Sequence, residues 1–178
     1  MLYTRKGDDG TSSFFCDQGR SSKDGEMFET LGSVDELNSL LGVCIAKANE
    51  QYGPDSLIAG VIRTAQNNLF IVQAELAGAD KAITAEHVSA MEQVIDDSEK
   101  RIEALHSFII SGATELSAFL DYARAVSRHA ERAVIRSRHL RAVSDETLKY
   151  LNRLSSLLYA LARVSAADAG VKEVGPRY

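Results

Sequence analysis

Residues that interrupt helices or cross-link a chain are scarce in this sequence. Two prolines occur among 178 residues, and there is no tryptophan. The two cysteines, Cys16 and Cys44, lie far apart and show neither a disulfide framework nor a metal-binding spacing, so we expect free thiols in a reducing compartment. Stretches rich in alanine, leucine and glutamate instead favour helices over a sheet of many strands.

Long apolar runs are missing as well. No stretch approaches the roughly 18 apolar residues of a membrane-spanning helix, and the N-terminus has no apolar segment typical of a signal peptide. We therefore expect a soluble, cytoplasmic protein with no membrane partner. The formal net charge of −5 disfavours a general nucleic-acid binder, which usually carries a basic balance over the whole domain. The length predicts a single domain over residues 1–178.

Apolar residues recur at steps of three and four and predict five helices. These helices begin, or follow a break, near Ser33, Pro54, Thr84, Thr114 and Ser144. A capping-box pattern of Ser33 and Glu36 marks the start of the first helix, whereas the third ends by His106 and the fourth near Arg141. Short links between long helices predict an all-α, up-and-down five-helix bundle over residues 30–169.

Residues 1–25 are dense in glycine, aspartate, serine and threonine, which is typical of a loop, and a short hairpin is predicted around residues 13–16. Its glycines would let backbone N–H groups approach an anion, while its hydroxyls and Asp8 could hold a metal. The pattern is not a Walker A motif, because no Gly-Lys-Ser/Thr follows at the required spacing. A functional loop and an N-terminal arm without fixed structure both remain open.

Four arginines share one edge of the fourth predicted helix, because they follow one another at intervals of four: Arg124, Arg128, Arg132 and Arg136. Like charges at this spacing disfavour a helix by roughly a few tenths of a kcal/mol per pair. The edge is either a solvated face relieved by Asp121 and Glu131, or a phosphate clamp, since guanidinium groups bind phosphate oxygens in a bidentate manner.

Polar residues on the first and fifth helices are further candidates. Asp35 falls in the first turn of the first predicted helix, where the helix dipole favours a carboxylate, but it could also pair with an arginine. Asn38 follows three residues later on the same face. Asn152, Ser156 and Arg163 predict a polar line along the otherwise apolar fifth helix.

The four histidines show no pairing typical of a metal site, so no protein-only metal site is predicted. They are His87, His106, His129 and His139.

Four blocks of the sequence resemble the ATP:cob(I)alamin adenosyltransferases of the PduO type, in order and spacing across nearly the whole chain. The blocks are residues 3–10 (YTRKGDDG), 32–39 (GSVDELNS), 123–132 (ARAVSRHAER) and 150–155 (YLNRLS). The resemblance implies a five-helix bundle that forms a homotrimer, with an ATP site between neighbouring subunits. It also implies transfer of the 5′-deoxyadenosyl group of ATP to cob(I)alamin, which yields adenosylcobalamin and triphosphate.

The resemblance further implies which residues bind the substrates. Magnesium would be bound with the ATP phosphates, and the residues that would hold Mg-ATP are Tyr3, Thr4, Arg5, Lys6, Gly7, Asp8, Asp9, Gly10, Thr11, Ser12, Lys23, Arg128, Glu131, Arg132 and Asn152. Asp35 and Arg124 would form an ion pair across the subunit contact. Phe108 would crowd the lower face of the corrin ring, and Asp35 and Asn38 would contact the corrinoid. The implied catalytic residues are Asp35, Arg124, Arg128 and Phe108.

The chain also departs from the family pattern. Two adjacent arginines are common before the Ala-Glu-Arg of the third block, where this chain has Arg128 and His129. An alternative therefore stays open, in which the protein binds ATP or a corrinoid and delivers it, or regulates another protein, with little turnover. The expected partners are a flavoprotein reductase and a B12-dependent enzyme that accepts the product.

Overall fold

A computed structural model describes residues 2–14, 16, 19–102 and 108–178 of the protein. Within these residues it contains five α-helices and one pair of two-residue strands. The helices are α1 (Glu26–Tyr52), α2 (Leu57–Leu76), α3 (Ala85–Glu99), α4 (Glu115–Ser137) and α5 (Asp145–Asp168). The predicted all-α, five-helix bundle is confirmed.

Hydroxyl caps begin the later helices where the sequence predicts them. The side chains of Thr114 and Ser144 accept hydrogen bonds from backbone N–H groups in the first turns of α4 and α5. At α3, Thr84 and His87 form a reciprocal capping box. Each cap satisfies N–H groups that have no partner within the helix, which typically stabilises a helix by about 1 kcal/mol.

The predicted start of the first helix at Ser33 is wrong, because α1 begins seven residues earlier, at Glu26. Ser33 is buried within α1, and its hydroxyl donates to the carbonyl of Thr30 at 2.8 Å. Thr30 in turn donates to the carbonyl of Ala133 on α4 at 3.3 Å. Packing against α4 therefore extends α1 beyond the local capping signal.

Other boundaries also differ from the prediction. The strands β1 (Thr11–Ser12) and β2 (Ser21–Ser22) pair antiparallel, so they flank the predicted 13–16 segment, which lies between them in the sequence. Helix α3 ends at Glu99, and the predicted end at His106 lies outside the described residues. Helix α4 ends before Arg141, at Ser137.

The helices pack in the spatial order α2, α1, α4, α5, α3. Helix α4 therefore lies in the middle of the bundle, with one face against α1 and another against α5. The largest fully buried side chains come from α1, α2, α4 and α5, and include Leu37, Leu41, Ile62, Leu69, Leu116, Leu120, Tyr150, Leu151, Leu154 and Leu158. Burial of each such side chain contributes about 1.5–3 kcal/mol to folding.

The predicted polar line on the fifth helix breaks at Arg163. Asn152 and Ser156 are exposed, but Arg163 is 3% exposed and its Nη2 donates to Asp121 Oδ2 of α4 at 2.7 Å. Arg163 sits seven residues beyond Ser156, almost two helical turns, and the packing of α4 on α5 covers it. Within the described residues, no helix is both long enough and apolar enough to cross a bilayer.

Candidate active site

The arginine edge of α4 faces solvent along most of its length. Arg128, Arg132 and Arg136 are exposed and Arg124 is half-buried. Among the described residues, none of the four lies within ion-pair distance of a carboxylate. The two acids expected to relieve this edge are engaged elsewhere, since Asp121 pairs with Arg163 and Glu131 binds Asn152. The edge is therefore a row of cations that form no ion pair with the described residues, which is suited to a polyanionic ligand.

A polar network joins this edge to α5 and α3. Asn152 Nδ2 donates to Glu131 Oε1 at 3.0 Å, and Arg153 Nη1 donates to Asn152 Oδ1 at 2.9 Å. Arg153 Nε donates to Glu92 Oε1 of α3 at 2.9 Å. The predicted residues Glu131 and Asn152 are thus brought together beside Arg128. Arg153 was not predicted as a site residue, although it lies within the 150–155 block.

Arg124 lines a groove of about 310 Å³ between α3, α4 and α5, together with Ile102 and Tyr159. Its Nε is buried and has no hydrogen-bond partner within the described part of the chain. A buried donor without a partner costs about 1–3 kcal/mol, more when the group is charged. Arg124 is therefore available for a carboxylate or a ligand supplied from outside this bundle.

Asp35 does not approach Arg124 within one chain. Its carboxylate is exposed on α1, and Gln73 Nε2 of α2 lies 3.5 Å from Oδ1. Asn38, predicted on the same face, is 6% exposed, and its Oδ1 is buried without a partner in the described residues. Asp35 thus lies exposed at the surface with one long contact to Gln73, whereas Asn38 holds, beneath that surface, an acceptor that no described residue pairs with.

Phe108 extends from the segment between α3 and α4. Phe108 is 79% exposed, and the described residues 108–110 belong to no strand. The next residue, Ile109, lines a groove of about 500 Å³ that shares Ile102 with the groove of Arg124. Phe108 therefore lies at the end of the bundle where Arg124 is found.

The described part of the N-terminal loop is folded into turns. The N–H of Asp8 donates to the carbonyl of Arg5, and the N–H of Gly10 donates to the carbonyl of Gly7. Gly10 has a φ of 77°, in the left-handed region that favours glycine. Lys23 fastens the loop, because its Nζ donates to the carbonyl of Gly7 at 2.8 Å. The structure thus favours a formed loop over an arm without fixed structure.

Arg20 is a loop residue that the sequence patterns did not identify. Its Nε donates to Thr11 Oγ1 at 2.8 Å, and its Nη2 donates to the carbonyls of Thr11 and Lys6. Asp9 Oδ1 accepts from the hydroxyl of Thr11 at 2.7 Å, and this bond is the main cause that lowers the pKa of Asp9. Asp9 and Thr11 therefore act within the loop and hold its shape.

The loop packs on the start of α1 and beside Arg141, just beyond the C-terminal end of α4. The ring of Phe14 stacks on Phe28 of α1 at 4.2 Å, and the Arg141 guanidinium lies 5.6 Å above Phe14. No hydrogen bond or ion pair in the described ranges joins residues 3–12 to Arg128, Arg132 or Asn152. One chain therefore presents two separate halves of the predicted site.

The loop has the donor set that a magnesium-bound triphosphate requires. Thr4, Ser12 and the exposed carboxylate of Asp8 provide oxygen ligands, which Mg²⁺ prefers, and Lys6 provides positive charge. No cluster of three or more histidine, cysteine or acidic residues suited to a metal occurs among the described residues. The oxygen atoms of the loop thus fit a magnesium ion that brings further oxygen ligands of its own, such as one bound to phosphate groups.

Known proteins share this sequence and fold. A family model described as cobalamin adenosyltransferase matches residues 2–165. Corrinoid adenosyltransferase PduO of Salmonella typhimurium is 38% identical, over 99% of this chain and 54% of its own length. Corrinoid adenosyltransferase of Bacillus subtilis is 36% identical, over 97% of this chain and 90% of its own length. The chain thus spans about half of the PduO relative and most of the shorter one.

A solved structure also matches along its full length. It is a phenylalanine-to-alanine variant of a PduO-type ATP:corrinoid adenosyltransferase from Lactobacillus reuteri, complexed with cobalamin and ATP. The two structures superpose with a TM-score of 0.91 at 25% identity, and the match covers 100% of each chain. On this sequence and structural similarity, the chain belongs to the cobalamin adenosyltransferase family.

Proposed function

We propose that this protein transfers the 5′-deoxyadenosyl group of ATP to cob(I)alamin and releases adenosylcobalamin and triphosphate. The observation that carries the proposal is the row of arginines on α4, which form no ion pair with any residue the structure describes, beside the Glu131–Asn152 hydrogen bond. The family relationship supports the same reaction, and both substrates are bound in the Lactobacillus reuteri structure.

The proposed reaction needs no nucleophile from the protein. The cobalt of cob(I)alamin donates an electron pair to the 5′ carbon of ATP, a Co–C bond forms, and the C–O bond to the triphosphate breaks. The triphosphate leaves with the electron pair of that bond, so negative charge on it increases. Arg128 and Arg132 would stabilise this charge together with magnesium, while the protein aligns the two reactants.

We place the ATP site between two subunits of a homotrimer. Among the described residues, no hydrogen bond or ion pair joins residues 3–12 to Arg128, Arg132 or Asn152 within one chain. The loop of a neighbouring subunit would bring residues 3–12 and Lys23 to these three side chains. Asp35 and Arg124, which do not pair within one chain, would form an ion pair across the same contact. This pairing would give the buried Nε of Arg124 its missing acceptor.

The corrinoid would bind at the end of the bundle that holds Arg124. Phe108 is exposed there and large enough to occupy the lower face of the corrin ring, where it would exclude an axial ligand from cobalt. Loss of that ligand would make cobalt(II) easier to reduce. Asp35 and Asn38 would contact the corrinoid from the neighbouring subunit.

A second candidate function rests on His129, which is exposed beside Arg128 where an adjacent pair of arginines is common in the family. With one phosphate contact fewer, the protein would bind ATP or a corrinoid and deliver it to a partner with little turnover. In either case we propose a cytoplasmic protein, consistent with the exposed free thiol of Cys16. Its partners would be a flavoprotein reductase and a B12-dependent enzyme.

Anaerobic turnover separates the two candidates. Purified protein, Mg-ATP and chemically reduced cobalamin are mixed, and both the absorption spectrum and the released triphosphate are followed. We expect adenosylcobalamin and triphosphate in equal amounts over many turnovers. Binding of ATP or cobalamin without either product would contradict the enzyme and support the delivery protein.

A further inference from the structure

The C-terminal tail, residues 169–178, folds back onto the bundle. Helix α5 ends at Asp168, and Gly170 follows with a φ of 67°, in the left-handed region that reverses the chain. The N–H of Val171 donates to the carbonyl of Ala166 at 3.0 Å and closes this turn. The tail therefore runs back alongside α5.

A buried ion cluster holds the tail in place. Glu173 Oε1 lies 2.7 Å from Arg163 Nε, an ion contact that lacks the alignment of a hydrogen bond, and Asp121 Oδ2 accepts a hydrogen bond from Arg163 Nη2 at 2.7 Å. The side chains of Arg163, Asp121 and Glu173 are 2%, 5% and 11% exposed. One guanidinium thus joins α4, α5 and the tail, and we call these three residues the tail cluster.

The tail in turn holds the segment that carries Phe108. The N–H of Ile110 donates to the carbonyl of Val174 at 2.9 Å, one residue beyond Glu173. Ile110 lies two residues from Phe108, whose own side chain is 79% exposed. Among the described residues, this is the one backbone hydrogen bond between residues 108–110 and the rest of the protein.

The tail cluster also touches the groove of Arg124. The guanidinium of Arg163 lies 4.6 Å from the centre of the Tyr159 ring, and Tyr159 lines that groove. The cluster therefore stands between the tail and the part of the site where Arg124 and Phe108 are found.

From these contacts we propose that Glu173 is a positioning residue, which docks the C-terminal tail on Arg163 and thereby fixes Ile110 and the orientation of Phe108. This inference rests on the proposed function, because it assigns Phe108 to the corrinoid. Glu173 itself contacts neither substrate. It acts through a chain of two contacts, from Arg163 to Glu173 and from Val174 to Ile110.

The structural step is tested by amide hydrogen exchange at Ile110, in the wild type and in variants at adjacent tail positions. Glu173→Ala removes the contact with Arg163, and we expect protection of the Ile110 amide to fall about ten-fold or more. Glu173→Gln keeps an oxygen beside Arg163 and should retain most of the protection. Lys172→Ala is the matched control, because Lys172 is exposed and has no ion-pair partner within the described chain. Unchanged protection in Glu173→Ala would overturn the inference.

The functional step is tested by a double-mutant cycle with Phe108→Ala, in which cob(II)alamin is reduced and adenosylated in a coupled assay. We expect Glu173→Ala to lower turnover about ten-fold in the wild-type background, with KM for ATP unchanged, and to cause no further loss in Phe108→Ala. An equal loss in both backgrounds would contradict a role through Phe108. An inactive wild type would refute the proposed function, whereas exchange at Ile110 would still decide whether Glu173 holds that segment.

Discussion

The arginines of this protein have two different environments. Arg163 is buried between two carboxylates, Asp121 and Glu173, and stacks on an aromatic ring. Arg128 and Arg132 lie on the exposed edge of α4 and have no acidic partner among the described residues. The charge of Arg163 is balanced by carboxylates of the same chain. The charges of Arg128 and Arg132 are not balanced by any described residue and can bind an external anion.

This difference distinguishes charges that contribute to folding from charges that are available for binding. A buried cation must be paired, because an isolated charge in the protein interior costs several kcal/mol. An exposed cation is hydrated and needs no partner, so a row of them contributes little to folding and can be selected for binding instead. Removal of an arginine should therefore change stability in one environment and turnover in the other.

Arg163→Met should give the largest effect on stability. It leaves Asp121 and Glu173 buried without their counter-charge, so we expect the free energy of unfolding to fall by about 3–5 kcal/mol. Urea denaturation at a fixed protein concentration measures this change. Arg136→Met, at an exposed position of α4, should stay within about 0.5 kcal/mol of wild type. Comparable losses of unfolding free energy in Arg163→Met and Arg136→Met would show that buried and exposed arginines do not differ in their contribution to folding.

Asp35→Asn should act on the proposed subunit contact without destabilising the bundle. The carboxylate is exposed, so the unfolding free energy of the subunit should change by less than about 0.5 kcal/mol. Loss of the ion pair with Arg124 should lower kcat/KM for the corrinoid about ten-fold, since a charged hydrogen bond contributes about 1.5–3 kcal/mol. Kinetics with both substrates test this prediction, and normal corrinoid kinetics would remove Asp35 from the site.

Docking of the C-terminal tail through the tail cluster should depend weakly on pH. Burial is the main cause that raises the pKa of Glu173, Asp121 adds to it, and Arg163 opposes it. Because the folded-state pKa is above the unfolded one, the cost of burying the Glu173 charge exceeds the attraction of Arg163. The neutral carboxyl group, whose oxygen still lies beside the guanidinium, therefore favours the docked tail. Protection of the Ile110 amide, corrected for intrinsic exchange, should therefore increase as pH falls through the folded pKa of Glu173. The same pH series on Glu173→Gln should show no such increase. A decrease in the wild type as pH falls would show instead that the charged form of Glu173 favours the docked tail.

The helices could be predicted from the sequence because their signals are local. Periodic apolar residues and the caps at Thr84, Thr114 and Ser144 are all read within a few positions. The start of α1 could not be predicted in this way. Ser33 and Glu36 match a capping box, but the contact of Thr30 with Ala133 spans 103 residues and continues the helix through it.

The candidate site was predictable where residues act together on one helix. The spacing of the arginines on α4 requires only the helical period. The resemblance gave Glu131 and Asn152 as ATP-binding residues, and the hydrogen bond between them is seen only in the structure. Arg163 was misassigned because its partner Asp121 is 42 residues away and becomes adjacent only when α4 packs on α5. No sequence pattern identified Arg20, since its hydrogen bonds to Thr11 and Lys6 form only when the loop has folded.

Arg128 and Arg132 of the arginine edge are proposed to bind the triphosphate of ATP, and one matched comparison tests this role most directly. Arg132→Ala and Arg136→Ala remove the same charge from the same edge, one helical turn apart, but only Arg132 is adjacent to Glu131 and assigned to the site. We predict that kcat/KM for ATP falls about 100-fold or more in Arg132→Ala, as when a donor to developing charge is lost, and less than about three-fold in Arg136→Ala. Equal losses of kcat/KM in the two variants, or no loss in either, would contradict triphosphate binding by Arg132.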